Sequence, residues 1–502
     1  MDEGRPLEES VCAVDVGSSA IRAAVINAYG RIVRMRRRGR DSDAASTAFD
    51  VDELWAEIAA TLRELFTDRD TAGLRGMAVT AHVGSVIVDR DGRAVWAGFG
   101  WADGHGTDLL TRAWSSLPEP LGVVGRPIVT GGGLPVLSWL QDQHPDSFRR
   151  ARWLLSPKDL VVNRLTDAIA TDVTSAAYTL ALDVRTRRWS KPLCAAAAIE
   201  PSLLPPIRHA VHIVGRVSPA SARHTGLPAG LPVVAGGPDG TVSTAALADP
   251  SVPVIIDIAG STDVVTRITS GPPHEPPPGA LINPYLNDDL YSCGGPTGMT
   301  GGAVAFLSDL LGLGSAAAAM DGLGRQIEAI PPGSDGLRVM PAITGSRFPH
   351  WQPAERGAVI GLAAEHTTAH LLRAAHEGAA YVARECADLL SGPGQQNGEA
   401  PAIVLAGGTA RSPWLTQLRA DVMGRTVLAC AEPEIGLLGA AMLAAVGCGL
   451  YPSISAARAR MSPPLRKVLP NPQASRCFSQ LYAAWAAERQ TVVSQQFMAG
   501  RT

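Results

Sequence analysis

Val11–Asn27 reads VCAVDVGSSAIRAAVIN: an apolar run meets Asp15, a turn of small residues follows at Gly17, Ser18 and Ser19, and a second β-rich run resumes. Val254–Thr269, VIIDIAGSTDVVTRIT, repeats that order of parts around Asp257, Gly260, Ser261 and Thr262. Each segment predicts a β-hairpin whose polar turn presents backbone N–H groups. The two aspartates lie about half a chain length apart, so the pattern predicts one internal duplication and two similar domains facing one another. The expected fold is α/β, two lobes with a cleft between them.

The size agrees. A chain of 502 residues exceeds what one hydrophobic core organises, since single cores stop growing near ~250–300 residues. Hydrophobic residues are 46% and charged residues 18%, an ordinary globular balance that excludes global disorder. The net charge of −3 supplies neither a counterion-release surface for nucleic acid nor a polybasic membrane footprint. The opening MDEGRPLEES has no basic or apolar region of a secretory signal, and no run of 18 apolar residues appears. Seven scattered cysteines without metal spacing predict reduced thiols and a cytoplasmic location.

Between and after the hairpins, helix and strand patterns alternate. Val51–Phe66 has helical apolar spacing behind an acidic start, and Leu74–Asp89 reads as a strand-like run before the turn Asp89–Gly92. Ala151–Thr166 predicts a strand, then Ser156 as N-cap with Pro157 in the first helical turn. Pro272–Gly279 predicts a surface loop, Thr367–Leu390 a long amphipathic helix, and Ser391–Gly398 a low-complexity loop. Ile435–Val446 is an Ala-rich helix built for close packing, and a last helix is expected around Phe478–Arg489 ahead of a frayed tail. Two prolines in ALADPSVP put the junction near 245–253, giving an N-terminal lobe 1–249, a C-terminal lobe 250–450 and a helical extension 451–502.

Three motifs carry chemistry. At Asp15–Arg22, consecutive amides beside a glycine and two hydroxyls form an anion nest, and a strand-end aspartate suits water-bound Mg²⁺, which accepts only one or two carboxylates. At Gly407–Asp421, an apolar strand runs through Gly407-Gly408 into a helix near Ser412 with Pro413 in its first turn, a recurring phosphate seat that matches neither GxGxxG nor GxxxxGK[ST]. Pro238-Asp239-Gly240 reads by composition as a tight turn, while its place after the apolar strand Leu231–Val234 allows a carboxylate at the cleft.

Together these stretches resemble the FGGY carbohydrate kinases, a branch of the actin–hexokinase–heat-shock-chaperone superfamily, most closely its xylulokinase-like members. Asp15–Arg22 is similar to the family's first phosphate motif, Gly260-Ser261-Thr262 to its second, Gly236–Gly240 to the catalytic-aspartate segment and Gly407–Asp421 to the adenosine motif. Gly336–Leu362, GLRVMPAITGSRFPHWQPAERGAVIGL, resembles the signature between them, and Glu434–Gly449 the closing Ala-rich helix. The acceptor half departs from the pattern. His82-Val-Gly84-Ser85 stands for Gln-Met-His-Gly, Trp101-Ala-Asp103-Gly-His105 lacks the arginine of Trp-x-Asp-x-Arg, and Val136 replaces a lysine.

The resemblance implies a ribonuclease-H-like, actin/hexokinase-like fold of two duplicated lobes. It implies ATP-dependent, Mg²⁺-assisted phosphorylation of a small sugar, ketose or polyol. On this basis Asp239 is the expected general base and Asp15 the metal ligand. Gly17, Ser18, Ser19, Arg22, Gly260, Ser261, Gly302, Gly408 and Ser412 are expected on the nucleotide, and His82, Trp101, Asp103 and His105 join Asp239 on the acceptor. The implied partner is a small sugar or polyol, with neither nucleic acid nor membrane, and a homodimer is left open. Two rival readings keep the fold: a sugar-binding degenerate kinase, and an actin- or chaperone-like nucleotide switch.

Overall fold

The structure, a computed structural model, describes residues 9–40, 47–67, 69–128, 130–273, 275–286, 289–392 and 400–499. Most of the low-complexity loop expected over Ser391–Gly398, residue 274 of the Pro272–Gly279 loop, the first eight residues and the end of the expected tail lie outside these residues.

Both hairpins form. Ser10–Val16 pairs antiparallel with Ala20–Asn27, and Val254–Ala259 with Asp263–Ser270. Each hairpin seeds a seven-stranded mixed sheet. In the first, Ser10–Val16 has Ala20–Asn27 and then Ile32–Gly39 on one side, and the parallel Leu74–Ala81, then Pro232–Val234 and Ile213–Arg216, on the other. In the second, Val254–Ala259 has Asp263–Ser270 and Leu290–Pro296 on one side, and the parallel Ala402–Gly407, then Val427–Ala429 and Arg466–Val468, on the other. The strand order is the same in both, with one added edge strand, Leu281–Pro284, on the second.

The central strands are buried on both faces, so each sheet needs two covering layers. The outer face of the first packs Val14, Val25 and Val79 on Leu54, Ile58 and Leu62 of the helix Val51–Phe66. Asp50 caps that helix by accepting from the amides of Asp52 and Glu53 at 2.9 and 2.8 Å. The outer face of the second packs Ile255, Ile403 and Leu405 on Ala383 and Cys386 of Thr368–Ser391 and Ala420 of Pro413–Met423. Between the sheets lie two crossed helices, Asp239–Leu247 and Ile435–Gly447. Val242, Leu437 and Met442 meet the first sheet, and Leu247 and Ile435 meet Ile256 and Val404 of the second. A methyl group on Gly439 would stand 2.1 Å from the Val242 carbonyl oxygen, so the crossing depends on a residue without Cβ.

Four readings change. Leu74–Asp89 is two strands, Leu74–Ala81 and Gly84–Val88, because the chain leaves the first sheet at His82 to join a small four-stranded sheet. Asp239 does not lie in a tight turn. Gly237–Pro238 pairs beside Thr80 and Ala81, and the helix begins at Asp239 itself, since proline's fixed φ suits a helix entrance. A one-turn helix, Gly408–Arg411, precedes the helix capped by Ser412. The segment 451–502 is not purely helical, for Arg466–Val468 closes the second sheet, and its last helix runs Pro472–Ala499 with Trp485 buried and donating to the Val339 carbonyl at 3.1 Å.

Gly439→Val should lower unfolding free energy in urea by at least about 1–3 kcal/mol, the usual cost of overpacking. Gly322→Ala, in a helix with open space around the new methyl, should stabilise by up to about 1 kcal/mol. Equal effects would show that the crossing is not tight.

Candidate active site

The first hairpin sets one wall. Asp15 and Arg22 are directly opposed across it, and Arg22 Nη1 donates to Asp15 Oδ2 at 3.0 Å. Arg22 Nε lies 3.4 Å from Glu434 Oε2, so one guanidinium joins the hairpin to the start of the Ile435–Gly447 helix. Gly436 keeps that approach open, since a methyl there would stand 3.3 Å from Asp15 Oδ2. Asp15 Oδ1 is buried without a hydrogen-bond partner among the described residues. Burial pushes the Asp15 pKa up to about 6, with Arg22 opposing and Glu434 reinforcing the rise. Ser18 and Ser19 lie exposed at the turn, with Gly17 partly accessible.

Asp239 opens the helix at the floor of the cleft. Its carboxylate is partly accessible yet deeply surrounded, and its Oδ1 accepts from the Gly240 amide at 2.7 Å. Burial and then the negative charge of Asp15 raise its pKa to about 7, against the pull of the Gly240 amide. A carboxyl poised there exchanges a proton near neutral pH.

The second hairpin is built differently. Gly260 and Ser261 are exposed at its turn, and Gly301 packs so closely beneath that a methyl on it would meet the Gly260 carbonyl at 2.1 Å. Gly302 donates its amide to the Ser261 carbonyl at 2.8 Å, so this glycine braces the turn and its amide is already committed. Gly407 adopts φ +85° against Ala259, leaving Gly408 exposed at the start of its short helix. Ser412 uses its hydroxyl to accept from the Leu415 amide at 3.3 Å, a helix cap. Asp257 is withdrawn from solvent. Arg419 donates to Asp257 at 3.2 Å and to Asp263 at 2.5 Å, a buried arrangement of one cation and two carboxylates. Burial and the neighbouring Asp263 raise the Asp257 pKa while Arg419 opposes them.

The four sequence-derived acceptor candidates divide into separate groups. Asp103, almost wholly buried, accepts from the His105 amide at 2.9 Å and lies 2.9 Å from His105 Nδ1. His105 packs on Trp139 and Phe99. Trp101 carries the Arg347 guanidinium 4.7 Å from its ring centroid, a contact from the Gly345–Pro349 signature loop to the first lobe. His82 packs edge-on against Phe49, and its imidazole pKa is lowered by burial. No hydrogen bond joins His82 to the Asp103–His105 pair among the described residues.

His82 instead lines a narrow recess with Ser85, Lys158, Ser175, Tyr178 and Pro238, next to Asp239. Sequence reasoning missed Tyr178, which lines this recess, and Arg126 and Asn283, which meet Tyr178. The Arg126 guanidinium covers the Tyr178 ring at 4.2 Å, and burial with the negative charge of Asp239 raises the Tyr178 pKa while Arg126 and Asn283 oppose it. None of the three sits in a motif, so no local signal could have found them. Glu434 was within reach, since it heads the closing-helix segment.

Two lobes built on sheets of the same strand order form a mixed α/β two-domain fold of the actin/hexokinase type. The model of the FGGY family of carbohydrate kinases matches in both parts, its N-terminal domain over residues 10–246 and its C-terminal domain over 258–448. The chain belongs to that family and is an ATP-dependent sugar kinase, transferring phosphoryl to an alcohol group. Xylulose kinase of Lactococcus lactis is 26% identical over 95% of each chain. The crystal structure of gluconate kinase from Lactobacillus acidophilus superimposes with TM-score 0.86 at 21% identity, covering 96% of this chain and 98% of that one. Plasmodium falciparum glycerol kinase with ADP gives 0.83 at 18%, covering 97% and 99%. Among the described residues, no helix is long and apolar enough to cross a membrane.

Arg419→Met leaves two buried carboxylates without their cation and should destabilise by about 3–5 kcal/mol. Adding Asp263→Asn should recover part of that loss in the same denaturation assay. An unaffected single variant would show that the Arg419 pairs are not needed.

Proposed function

We propose that Asp239 is the general base of the kinase reaction, that Asp15 is the magnesium ligand, and that the acceptor is a small sugar, ketose or polyol held beside Tyr178 and His82. The observation carrying this reading is Asp239: a partly accessible carboxyl at the cleft floor whose pKa burial and Asp15 raise to about 7.

The residues present suit a metal–nucleotide complex. Asp15 offers a buried, unpartnered oxygen, and its raised pKa reflects a negative charge that a nearby cation would stabilise. Bound ATP with Mg²⁺ supplies the transferable phosphoryl group and neutralises the charge that develops on it. Gly17, Ser18 and Ser19 from one turn, and Gly260 and Ser261 from the other, would hold phosphate oxygens through amides and hydroxyls. Gly408 would border the nucleotide, with Ser412 shaping that border as a cap. Arg22 keeps Asp15 oriented, and Gly302 keeps the second turn in place.

As the acceptor oxygen forms its bond to phosphorus, its proton passes to Asp239, and the bond from phosphorus to the ADP leaving oxygen breaks. Asp103, held by His105, is a candidate for orienting acceptor hydroxyls, and Trp101 for covering them. The Arg347–Trp101 contact supports a closed cleft in which water is excluded from the transferring group. The chain is taken to work in the cytoplasm, where ATP is made and consumed.

Asp239→Asn should lower kcat by at least about two decades in an ADP-release assay over pentuloses, hexuloses, sugar acids and polyols. Near-normal kcat on the preferred acceptor would remove Asp239 from the reaction. In the free enzyme, kcat/KM should fall with an acid limb near pH 7, as protonation takes away the base. Stability should move the other way. The folded pKa of Asp239 lies above the ordinary carboxylate value, so its ionisation opposes folding increasingly as pH rises from about 4 to 7. Asp239→Asn should therefore melt higher than the parent at pH 8, with the difference shrinking toward pH 4.

A further inference from the structure

The side chain of Arg126 is only 3% exposed, and its Nε and Nη2 have no hydrogen-bond partner among the described residues. A buried guanidinium with unused donors is costly, because desolvation is not repaid by a counter-charge. Tyr178, whose ring lies 4.2 Å away and which also takes a hydrogen bond from the guanidinium, offsets part of that cost and leaves Nε and Nη2 unused. Burial lowers the Arg126 pKa, and the group that opposes this is the Tyr178 phenol rather than a carboxylate.

The two unused nitrogens form one edge of the guanidinium, with parallel N–H bonds. This chain shows twice what that edge binds. Arg338 Nε and Nη2 hold the two oxygens of Glu488 at 2.5 and 2.6 Å, and Arg489 Nε and Nη2 hold those of Glu355 at 2.9 and 2.7 Å. The same fork on Arg126 is empty.

The fold fixes where this fork stands. The Ile282 amide donates to the Gly125 carbonyl at 2.7 Å, and Gly125 has φ +66°, so a strand of the second sheet is tied to the residue before Arg126. Asn283, next along that strand, also has a buried oxygen, Oδ1, without a partner. Tyr178, covered by Arg126, reaches the recess beside Asp239.

We infer that the acceptor is a polyhydroxy acid of the aldonate class, its carboxylate held side-on by Arg126 Nε and Nη2 and its distal hydroxyl presented to Asp239. This rests on the reading of Asp239 as the base and adds the identity of the acceptor's other end. A carboxylate fills both donors at once with charge-assisted bonds, which a single neutral hydroxyl cannot do. The carboxylate keeps its charge throughout, so Arg126 sorts substrates without entering the chemistry.

The test pairs acids with the polyols of equal length: L-threonate with erythritol, D-xylonate with xylitol, and D-gluconate with D-glucitol. Binding is measured by calorimetry on the full chain without nucleotide, and turnover by ADP release. At least one aldonate should bind about 30-fold or more tightly than its polyol, the fold-change that roughly 2 kcal/mol of paired-charge loss produces. Arg126→Gln should abolish that preference, and Arg126→Lys should retain part of it through its charge. The Arg126→Gln variant should melt no lower than the parent, because it removes an unpaired buried charge.

Turnover of neutral sugars with no acid preference, unchanged by Arg126→Gln, overturns the inference and leaves the kinase reading intact. A clear drop in melting temperature for Arg126→Gln with unchanged ligand preference makes Arg126 structural and overturns it as well. Aldonate binding that depends on Arg126, with no turnover of any acceptor, upholds the inference and overturns the base assignment instead.

Discussion

The crossing of the helices Asp239–Leu247 and Ile435–Gly447 is the contact on which the rest of the molecule depends. Both helices lie between the two sheets, and one belongs by sequence to each half of the chain. Their backbones meet at Gly439 and Val242 with no room for a side chain. The same crossing brings Asp239, first residue of one helix, and Glu434 and Gly436, at the start of the other, to the Asp15 hairpin. The packing of these two helices therefore sets the spacing of the acidic groups, so fold and site share one contact.

The site is electrostatically unfinished without ligands. Burial and Glu434 make Asp15 harder to ionise, burial and Asp15 do the same to Asp239, and one arginine, Arg22, is shared between Asp15 and Glu434. Such an arrangement opposes folding at neutral pH, a cost that serves the base and cation site proposed here. This is the usual trade between stability and function. The Arg126 fork is the complementary case, a buried cation awaiting an anion. A ligand that meets both needs is itself polarised, with a hydroxyl for the proposed base and a carboxylate for Arg126.

What the sequence revealed was what local chemistry encodes. The hairpins were legible because the alternation of apolar strand, small-residue turn and returning strand occurs twice, and Ser156 with Pro157 was legible because capping is local. Asp239 could be picked as a cleft carboxylate, yet composition favoured a turn, and only pairing of Gly237–Pro238 beside Thr80 and Ala81 turns the same residues into a helix entrance. Tyr178, Arg126 and Asn283 were invisible for a different reason. They come from three distant segments, joined by lobe contacts such as the Gly125–Ile282 bond, and none has a neighbour in sequence that shares its task.

Duplication also misled in one respect, and the reason is instructive. Matching aspartates suggested two equivalent nests, but their cross-strand partners differ: Asp15 faces Arg22, whereas Asp257 faces Val265. A hairpin that carries its own arginine can leave its aspartate at the cleft, half neutralised and with one oxygen free. A hairpin with valine in that place must take its counter-charge from elsewhere, and Arg419 supplies it from the helix Pro413–Met423. That helix lies on the outer face of the second sheet, and strand alternation places Asp257 there too: it stands three residues before Gly260, whereas Asp15 stands two before Gly17, so the two carboxylates face opposite sides of their sheets. A one-residue offset from the turn thus separates a carboxylate on the helix-pair side from one buried with Arg419, and gives the two halves of a duplicated fold unequal work.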